Sequence, residues 1–219
     1  MDSYRGGAAG RLADDLFLIA HDDYSGKAVV APALLDATLA GAVLGELALE
    51  NRISIMRSQV YVDDHRAWHE PVSDRALGEI VHRGDGHPVR SWLEFLGPQA
   101  RYQVGDRLVS AGAVRRETSR GLNLRRAVRW PGTDPNRVAV PRVKLSAILE
   151  KSDRPLDPRT ALLAALVHAG RMVRVLNLPN RSQAVDRINA ARRLLPPALR
   201  ELLDGVDATI AAAALTVRR

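Results

Sequence analysis

The sequence contains an apolar stretch, residues 28–49, whose only charged side chains are Asp36 and Glu46. By length alone, such a stretch could cross a lipid bilayer. Each acidic side chain near the bilayer centre would cost about 2.5 to 3.5 kcal/mol, however, and helices that are apolar all round are also found buried in protein cores. Pro32 suits the first turn of a helix, where its missing N–H group leaves no hydrogen bond unmade. We therefore predict a core helix over residues 32–50, enclosed by other helices, rather than a membrane span.

The rest of the sequence predicts a mainly α fold: a helical core with surrounding amphipathic helices and a protruding β-hairpin. In the central helix, Gly41 and Gly45 are four residues apart and leave a smooth surface that a neighbouring helix can approach closely. Apolar residues at helical spacing, with proline start signals and glycine stop signals, predict further helices. These lie at residues 11–22, 73–82, 87–96, 99–111, 182–195 and 204–217, and another begins at Asp157 and Pro158.

Two segments are expected to be extended. Residues 53–62 read as a strand or a short hairpin. Residues 113–141 are rich in arginine and contain a strong turn signal at 131–136, so we predict a hairpin whose strands at 122–130 and 138–140 flank that turn. We expect a flexible terminus over residues 1–10, followed by one α-rich domain over residues 11–219 that includes the hairpin at 120–141.

Composition restricts the function classes. The chain has no cysteine, which excludes disulfides, thiolate metal ligands and a cysteine nucleophile. The net charge is +7, and only Lys27, Lys144 and Lys151 are lysines, so arginine supplies nearly all of the positive charge. Chains rich in arginine and alanine are common in GC-rich genomes, so genome composition is one explanation of this bias. A basic surface also favours an acidic partner, either an anionic membrane or a nucleic acid.

The sequence has none of the familiar active-site motifs: no G-x-G-x-x-G after a strand, no phosphate-binding loop and no G-x-S-x-G. His65 and His69, with Glu70, have spacing that would suit a metal site on a helix, but they fall in an expected solvated loop. His21 lies at a helix end, where a cationic ring would complement the helix dipole. His168 lies in an apolar run and is expected to be buried or half-buried. We predict no enzyme, no catalytic residue, no cofactor and no metal site.

Five segments, in order, resemble the Golgi phosphoprotein family. They resemble its opening helix and turn, its central buried helix with the strand after it, a short tryptophan-containing helix, the helix end before its hairpin, and its late core helix. The segments are LADDLFLIAHDD (12–23), LAGAVLGELALENRI (39–53), WLEFL (92–96), RLVSAGAV (107–114) and DPRTALLAALVHAG (157–170). The resemblance covers residues 11–217, and the short N-terminus and composition suggest a bacterial-type member.

The resemblance implies a helical core and an exposed β-hairpin used in self-association. Eukaryotic members of the family bind phosphatidylinositol 4-phosphate at Golgi membranes and hold glycosyltransferases there by their cytosolic tails. The family's lipid site uses a tryptophan and three arginines, whose positions here are Ala31, Ala40, Pro98 and Arg101. Only Arg101 keeps the residue type, so Arg101 is our candidate for a lipid head group. The candidate self-association residues in the hairpin are Leu122, Leu124, Arg126, Val128 and Trp130.

The expected function is that of a non-enzymatic, cytoplasmic, peripheral membrane protein. It would bind an anionic, phosphoinositide-type lipid head group, form a homo-oligomer and act as a scaffold or adaptor for an unknown protein client. One alternative is a soluble, self-associating interaction protein without lipid affinity, and another is a nucleic-acid-binding regulator. The basic hairpin has Trp130 but no interleaved aromatic side chains for stacking bases, so nucleic acid is not the expected partner.

Overall fold

Helix α2 (Pro32–Leu49) is the central element of the computed structural model, which describes residues 11–120, 126–151 and 155–216. Around it, in chain order, lie α1 (Leu12–Ile19), β1 (Ile53–Met56), β2 (Gln59–Val62), α3 (Pro71–Arg83), β3 (His87–Pro88), α4 (Val89–Ser110), β4 (Glu117–Arg120), β5 (Arg126–Arg129), α5 (Pro135–Val138), α6 (Val140–Glu150), α7 (Pro158–Ala169), a 3₁₀ turn (Val173–Leu176), α8 (Arg181–Leu194) and α9 (Pro197–Thr216). The mainly α fold predicted from the sequence is confirmed.

The prediction of a buried central helix is also confirmed. α2 is long and apolar enough to span a membrane by length and composition, but 67% of its 18 residues are buried inside the protein. It packs against α1, α3, α4, α7 and α9. A Cβ atom at Gly41 would lie 2.7 Å from a methyl group of Val206, and one at Gly45 would lie 2.5 Å from a methyl group of Leu162. The two glycines therefore let α9 and α7 approach closely, as their spacing predicts.

A buried polar network joins the first four helices. α1 has no side-chain cap of its own, and the carboxylate of Glu46 on α2 accepts the Ala13 N–H at 3.0 Å and the Ser73 hydroxyl at 2.9 Å. Glu70 caps α3 by accepting the Ser73 N–H at 2.6 Å, and it also pairs with Arg107 of α4. Because these partners come from four helices, the network fixes their relative positions. The structure also corrects the predicted start of α3, which is at Pro71 rather than at residue 73, with Glu70 as its cap.

The two helices predicted at 87–96 and 99–111 are one continuous helix, α4, and residues 87–88 form the short strand β3 beside β2. The sequence predicts Gly97 as the stop signal of the first of these two helices. Gly97 instead lets α4 contact α2, because a Cβ atom there would lie 3.0 Å from the Asp36 backbone. Pro98 is on the solvent side of α4, where water can bond the carbonyl group that its ring leaves free.

The predicted strand pairing of the arginine-rich hairpin is wrong. β4 pairs with β5, with Thr118 opposite Val128, and the segment at 131–136 does not connect the strands. The turn signal there belongs instead to a helix start, since the Asp134 side chain accepts the Asn136 N–H and Pro135 opens α5. Leu122 and Leu124 lie outside the described residues.

The later helices agree better with the helix positions predicted from the sequence. α7 begins at Pro158, and its predicted cap, Asp157, accepts the Thr160 N–H at 3.0 Å. α8 is capped by Asn180 and lies close to its predicted position. α9 begins at Pro197, seven residues before the predicted start at Asp204, because the apolar face of the helix extends back through Leu199.

Candidate functional site

Arg101, the candidate for a lipid head group, lies half-buried on α4 beside α2. Its Nε is 3.3 Å from Oδ1 of Asp36, and neither of these two buried atoms has a hydrogen-bond partner. Burial raises the pKa of Asp36, while the nearby Arg101 charge opposes that rise. Since a guanidinium group carries five N–H donors, this loose ion pair leaves Arg101 with capacity for another acceptor.

The other three positions of the family's lipid site supply no phosphate-binding side chain to accompany Arg101. Ala31 is exposed at the start of α2, and Pro98 is exposed on α4 one turn before Arg101. Ala40 is completely buried in the middle of α2. None of the three has a side chain that can donate a hydrogen bond to a phosphate.

The structure instead places cationic residues near the start of α2. This helix end has no side-chain cap, begins Ala31-Pro32-Ala33 and is exposed, so the positive end of its dipole is accessible. Arg174, from the distant 3₁₀ turn, donates from Nη2 to the Val29 carbonyl at 2.8 Å, and Lys27 is exposed two residues earlier. No short sequence pattern predicts that Arg174 and Arg101 flank this helix end.

Arg116 extends the charged surface towards the hairpin. Its guanidinium carbon lies 5.9 Å from the Tyr102 ring centre and 5.5 Å from that of Trp130, within cation–π range. The guanidinium carbon of Arg101 lies 5.2 Å from the centre of the same Tyr102 ring. We call Lys27, Arg101, Arg116 and Arg174 the basic rim.

Trp130 was expected to offer exposed apolar surface for self-association, and that expectation is wrong. Its side chain is 3% exposed and lies against Gly105 of α4, where a Cβ atom would be 2.6 Å from the ring. The backbone N–H of Trp130 donates to the Gly26 carbonyl at 2.9 Å, which ties the base of the hairpin to the turn after α1. Val128 is half-buried at the edge of the core, and for Arg126 the structure describes the strand position but not the side chain.

His21 is not the cationic helix-end residue that its position suggested. It is buried, its ring stacks on Phe17 at 4.1 Å between centres, and its Nδ1 lies 2.7 Å from the Phe17 carbonyl oxygen. Burial, with a smaller effect from the Arg101 charge, lowers the pKa of His21 to about 4 despite this hydrogen bond. The ring is therefore neutral at pH 7, and Nδ1 donates its proton to the carbonyl.

The other candidate histidines lie where the sequence predicts them. His65 and His69 lie in the loop before α3, as expected, and His168 is half-buried on α7. Among the described residues, no group of three or more His, Cys, Asp or Glu side chains is arranged to hold a metal ion.

The fold and the basic rim define a mainly helical protein with a basic face and an attached hairpin, without a recognisable catalytic centre in its described residues. The chain belongs to the Golgi phosphoprotein 3 (GPP34) family, whose model matches residues 12–206, from the start of α1 into α9. No curated protein matches the chain. The family is an adaptor family rather than an enzyme family, and it is associated with the membrane periphery.

Proposed function

We propose that this protein is a non-enzymatic peripheral membrane adaptor that binds anionic lipid head groups, including phosphoinositides, through its basic rim. The observation that carries the proposal is the position of Arg101. It keeps the residue type of the family's lipid site and pairs with Asp36 near the open, positive end of α2, and Arg174 contacts the chain three residues before that helix begins. Phosphate binding uses converging cationic donors and helix N-termini of this kind.

The surroundings of the rim suit a membrane surface. Tyr24 is 77% exposed in the turn that also holds Lys27, and tyrosine favours the boundary between water and lipid. Each cation near an anionic surface contributes about 1 kcal/mol, so the four side chains of the rim contribute at most about 4 kcal/mol, equivalent to a Kd of about 1 mM, because Arg101 and Arg116 also pair with Asp36 and Asp106. Binding by one molecule is therefore weak and sensitive to salt, and several linked copies bind more tightly.

Selectivity among anionic lipids is expected to be low. A phosphoinositide pocket needs several donors at fixed positions, and Ala31, Ala40 and Pro98 supply none. The rim therefore recognises negative charge more than head-group shape. We therefore expect a cytoplasmic protein that associates peripherally with any anionic membrane leaflet.

Co-sedimentation with vesicles tests the proposal. Vesicles of phosphatidylcholine alone would be compared with vesicles containing phosphatidylserine or phosphatidylinositol 4-phosphate. Arg101→Ala should weaken binding to both anionic mixtures about fivefold, because one cation is lost. Asp36→Asn should strengthen binding, since it removes the carboxylate that competes for Arg101. Arg75→Ala is the matched control, because it removes the same charge from an exposed site on α3. The Ser73 hydroxyl of α3 donates to Glu46, in the half of α2 that is farther from the basic rim.

Four results would contradict this proposal. Equal binding to neutral and anionic vesicles, or no binding to either, would favour a soluble interaction protein. Equal losses for Arg101→Ala and Arg75→Ala would show that only net charge matters. Complete displacement of the vesicles by duplex DNA at low concentration would favour the nucleic-acid-binding alternative.

We also propose that the β4–β5 hairpin mediates self-association. The described strands form a two-stranded sheet, which leaves both outer edges without a partner strand among the described residues. Unpaired edges can add strands from a second copy. Because Trp130 is buried, the test must leave it in place: residues 119–127 would be replaced by a short Gly-Ser loop. Light scattering should show an oligomer for the natural chain and a monomer for this variant, and an unchanged oligomer would exclude the hairpin as the interface.

A further inference from the structure

A groove with a volume of about 700 Å³ lies between α1, α6 and α7 and shares no lining residue with the basic rim. This volume falls within the range of pockets that bind small organic molecules. The walls are largely apolar and include Leu18, Leu145, Ile148 and Leu163. Ile148 and Val140 remain partly exposed at the groove, so an apolar ligand would cover surface that now faces water.

One part of the groove is cationic. Arg159, in the first turn of α7, has a buried Nη2 that makes no hydrogen bond, and the nearest acidic oxygen, Oδ2 of Asp15, is 3.7 Å away. Lys144 of α6 is exposed in the groove, and the described residues place no acidic side chain within ion-pair distance of it. Both cations act on the Asp15 carboxyl group, so all three groups lie near one another.

The acidic side chains of the groove already have partners. Asp14 pairs with Arg107 at 2.7 Å, and Asp157 caps α7. Asp15 lies near both Arg159 and Lys144, so these three side chains together carry one excess positive charge, while Asp157 keeps its negative charge at the start of α7. A cationic ligand would meet two cations here, whereas an anionic group would meet a buried donor without an acceptor and a lysine without an ion pair.

We propose that this groove binds an amphiphilic anion: a molecule with an elongated apolar body and one carboxylate or phosphate head group. The apolar body lies along Leu145, Ile148 and Leu163, and the head group accepts hydrogen bonds from Arg159 and Lys144. The site is separate from the basic rim and does not depend on the proposed membrane function.

Isothermal titration calorimetry with defined probes tests the proposal. Dodecanoate and dodecyl phosphate, both kept below micelle-forming concentrations, represent the two head groups, and dodecanol, acetate and inorganic phosphate supply each half of the ligand alone. One or both of the amphiphilic anions should bind with one-to-one stoichiometry, and the three partial probes should bind at least about tenfold more weakly, because each lacks one set of contacts. The preference between dodecanoate and dodecyl phosphate identifies the head group.

Variants localise the site. Lys144→Gln and Arg159→Gln should each weaken binding of the amphiphilic anion about tenfold through loss of a charge-assisted hydrogen bond, and Ile148→Gln should weaken it through the apolar wall. Arg193→Gln with Arg200→Gln is the control, because both arginines are exposed on α8 and α9 and neither lines the groove. Lys144 is exposed, so its variant tests the site even if Arg159→Gln fails to fold.

Several outcomes would overturn the proposal. Equal affinity for dodecanol would show that the head group contributes nothing to binding. Equal affinity for acetate or inorganic phosphate would show that the apolar body contributes nothing. Binding of many molecules per chain, or equal loss in the Arg193→Gln, Arg200→Gln control, would indicate surface adsorption. The Arg101→Ala variant separates this proposal from the previous one, since it should weaken vesicle binding about fivefold and keep the affinity for the amphiphilic anion.

Discussion

Replacing Glu46 by alanine should lower the stability of the fold more than an exposed substitution does. Glu46 is 3% exposed, and it holds the N–H of Ala13 and the hydroxyl of Ser73. Each buried donor left without an acceptor costs about 1 to 3 kcal/mol. The Ser73 hydroxyl can rotate to another acceptor, and removing a buried carboxylate relieves its own desolvation, so we expect a net loss of about 3 kcal/mol.

Glu46→Gln provides the matched comparison, because its amide oxygen can still accept from Ala13 while its NH₂ group donates to the Ser73 oxygen. We expect it to cost about 1 kcal/mol. For a chain of this length, about 1 kcal/mol shifts the melting temperature by roughly 2 to 4 °C, so alanine should lower it by about 6 to 12 °C and glutamine by about 2 to 4 °C. The exposed Glu50→Ala, at the end of the same helix, should change stability by less than about 0.5 kcal/mol.

Circular dichroism at 222 nm during heating, together with urea titrations, measures these differences. A loss below about 1 kcal/mol for Glu46→Ala would refute the role assigned to these hydrogen bonds. Equal losses for alanine and glutamine would show that the charge, rather than the two acceptor positions, stabilises the junction of α1, α2 and α3.

Two further predictions concern pH. The pKa of His21 is about 4 in the folded chain and 6.5 in the unfolded chain, so the unfolded chain binds the proton first as pH falls. Stability should therefore fall by up to about 3 kcal/mol between pH 6.5 and pH 4. His21→Gln should remove this part of the loss in urea titrations, and an unchanged dependence of stability on pH would contradict the prediction. Burial raises the pKa of Asp15 to about 6 from 3.8, so the folded chain holds that proton more tightly and stability from this group should rise as pH falls from about 6. Asp15→Asn should therefore stabilise the protein by about 2 to 3 kcal/mol at pH 7.5 and have little effect below pH 4, whereas a stabilisation independent of pH would exclude the ionised carboxylate as its cause.

The sequence predicts those elements whose signals are local and agree with the packing. The composition of α2 identifies it as the core helix, and Gly41 and Gly45 lie where two other helices touch it. The Asp157-Pro158 pair likewise sets the start of α7, because both a cap and the first helical position are encoded in adjacent residues.

Local signals failed where a distant contact changed their meaning. Gly97 and Pro98 resemble a helix end, but Gly97 is needed for the approach of α4 to α2, and the helix continues. Asp134 and Pro135 belong to a segment that predicts a hairpin turn, but Asp134 caps α5 and Pro135 is the first residue of that helix. Nothing in the sequence near Trp130 indicates that its ring is covered by Gly105, twenty-five residues earlier.

The candidate site was only partly accessible from the sequence. Arg101 was identified through the family resemblance, but Arg174 reaches the same helix end from a 3₁₀ turn more than seventy residues away. The Asp36 partner of Arg101 also comes from a different helix. Such convergence depends on tertiary packing, which the spacing of residues along one chain does not reveal.

The central claim is that the end of α2 faces an anionic membrane, and a site-specific probe tests it most directly. The chain contains no cysteine, so Tyr24→Cys and Met56→Cys each provide a single attachment point for an environment-sensitive fluorophore. Both positions are exposed, at 77% and 55%; Tyr24 lies beside the basic rim, and Met56 is in β1, beyond the opposite end of α2. With vesicles containing phosphatidylserine, the probe at 24 should shift to shorter wavelength and gain intensity, and the probe at 56 should not change. A response at 56 without one at 24, or no response at either position under conditions where the protein sediments with the vesicles, would contradict the account.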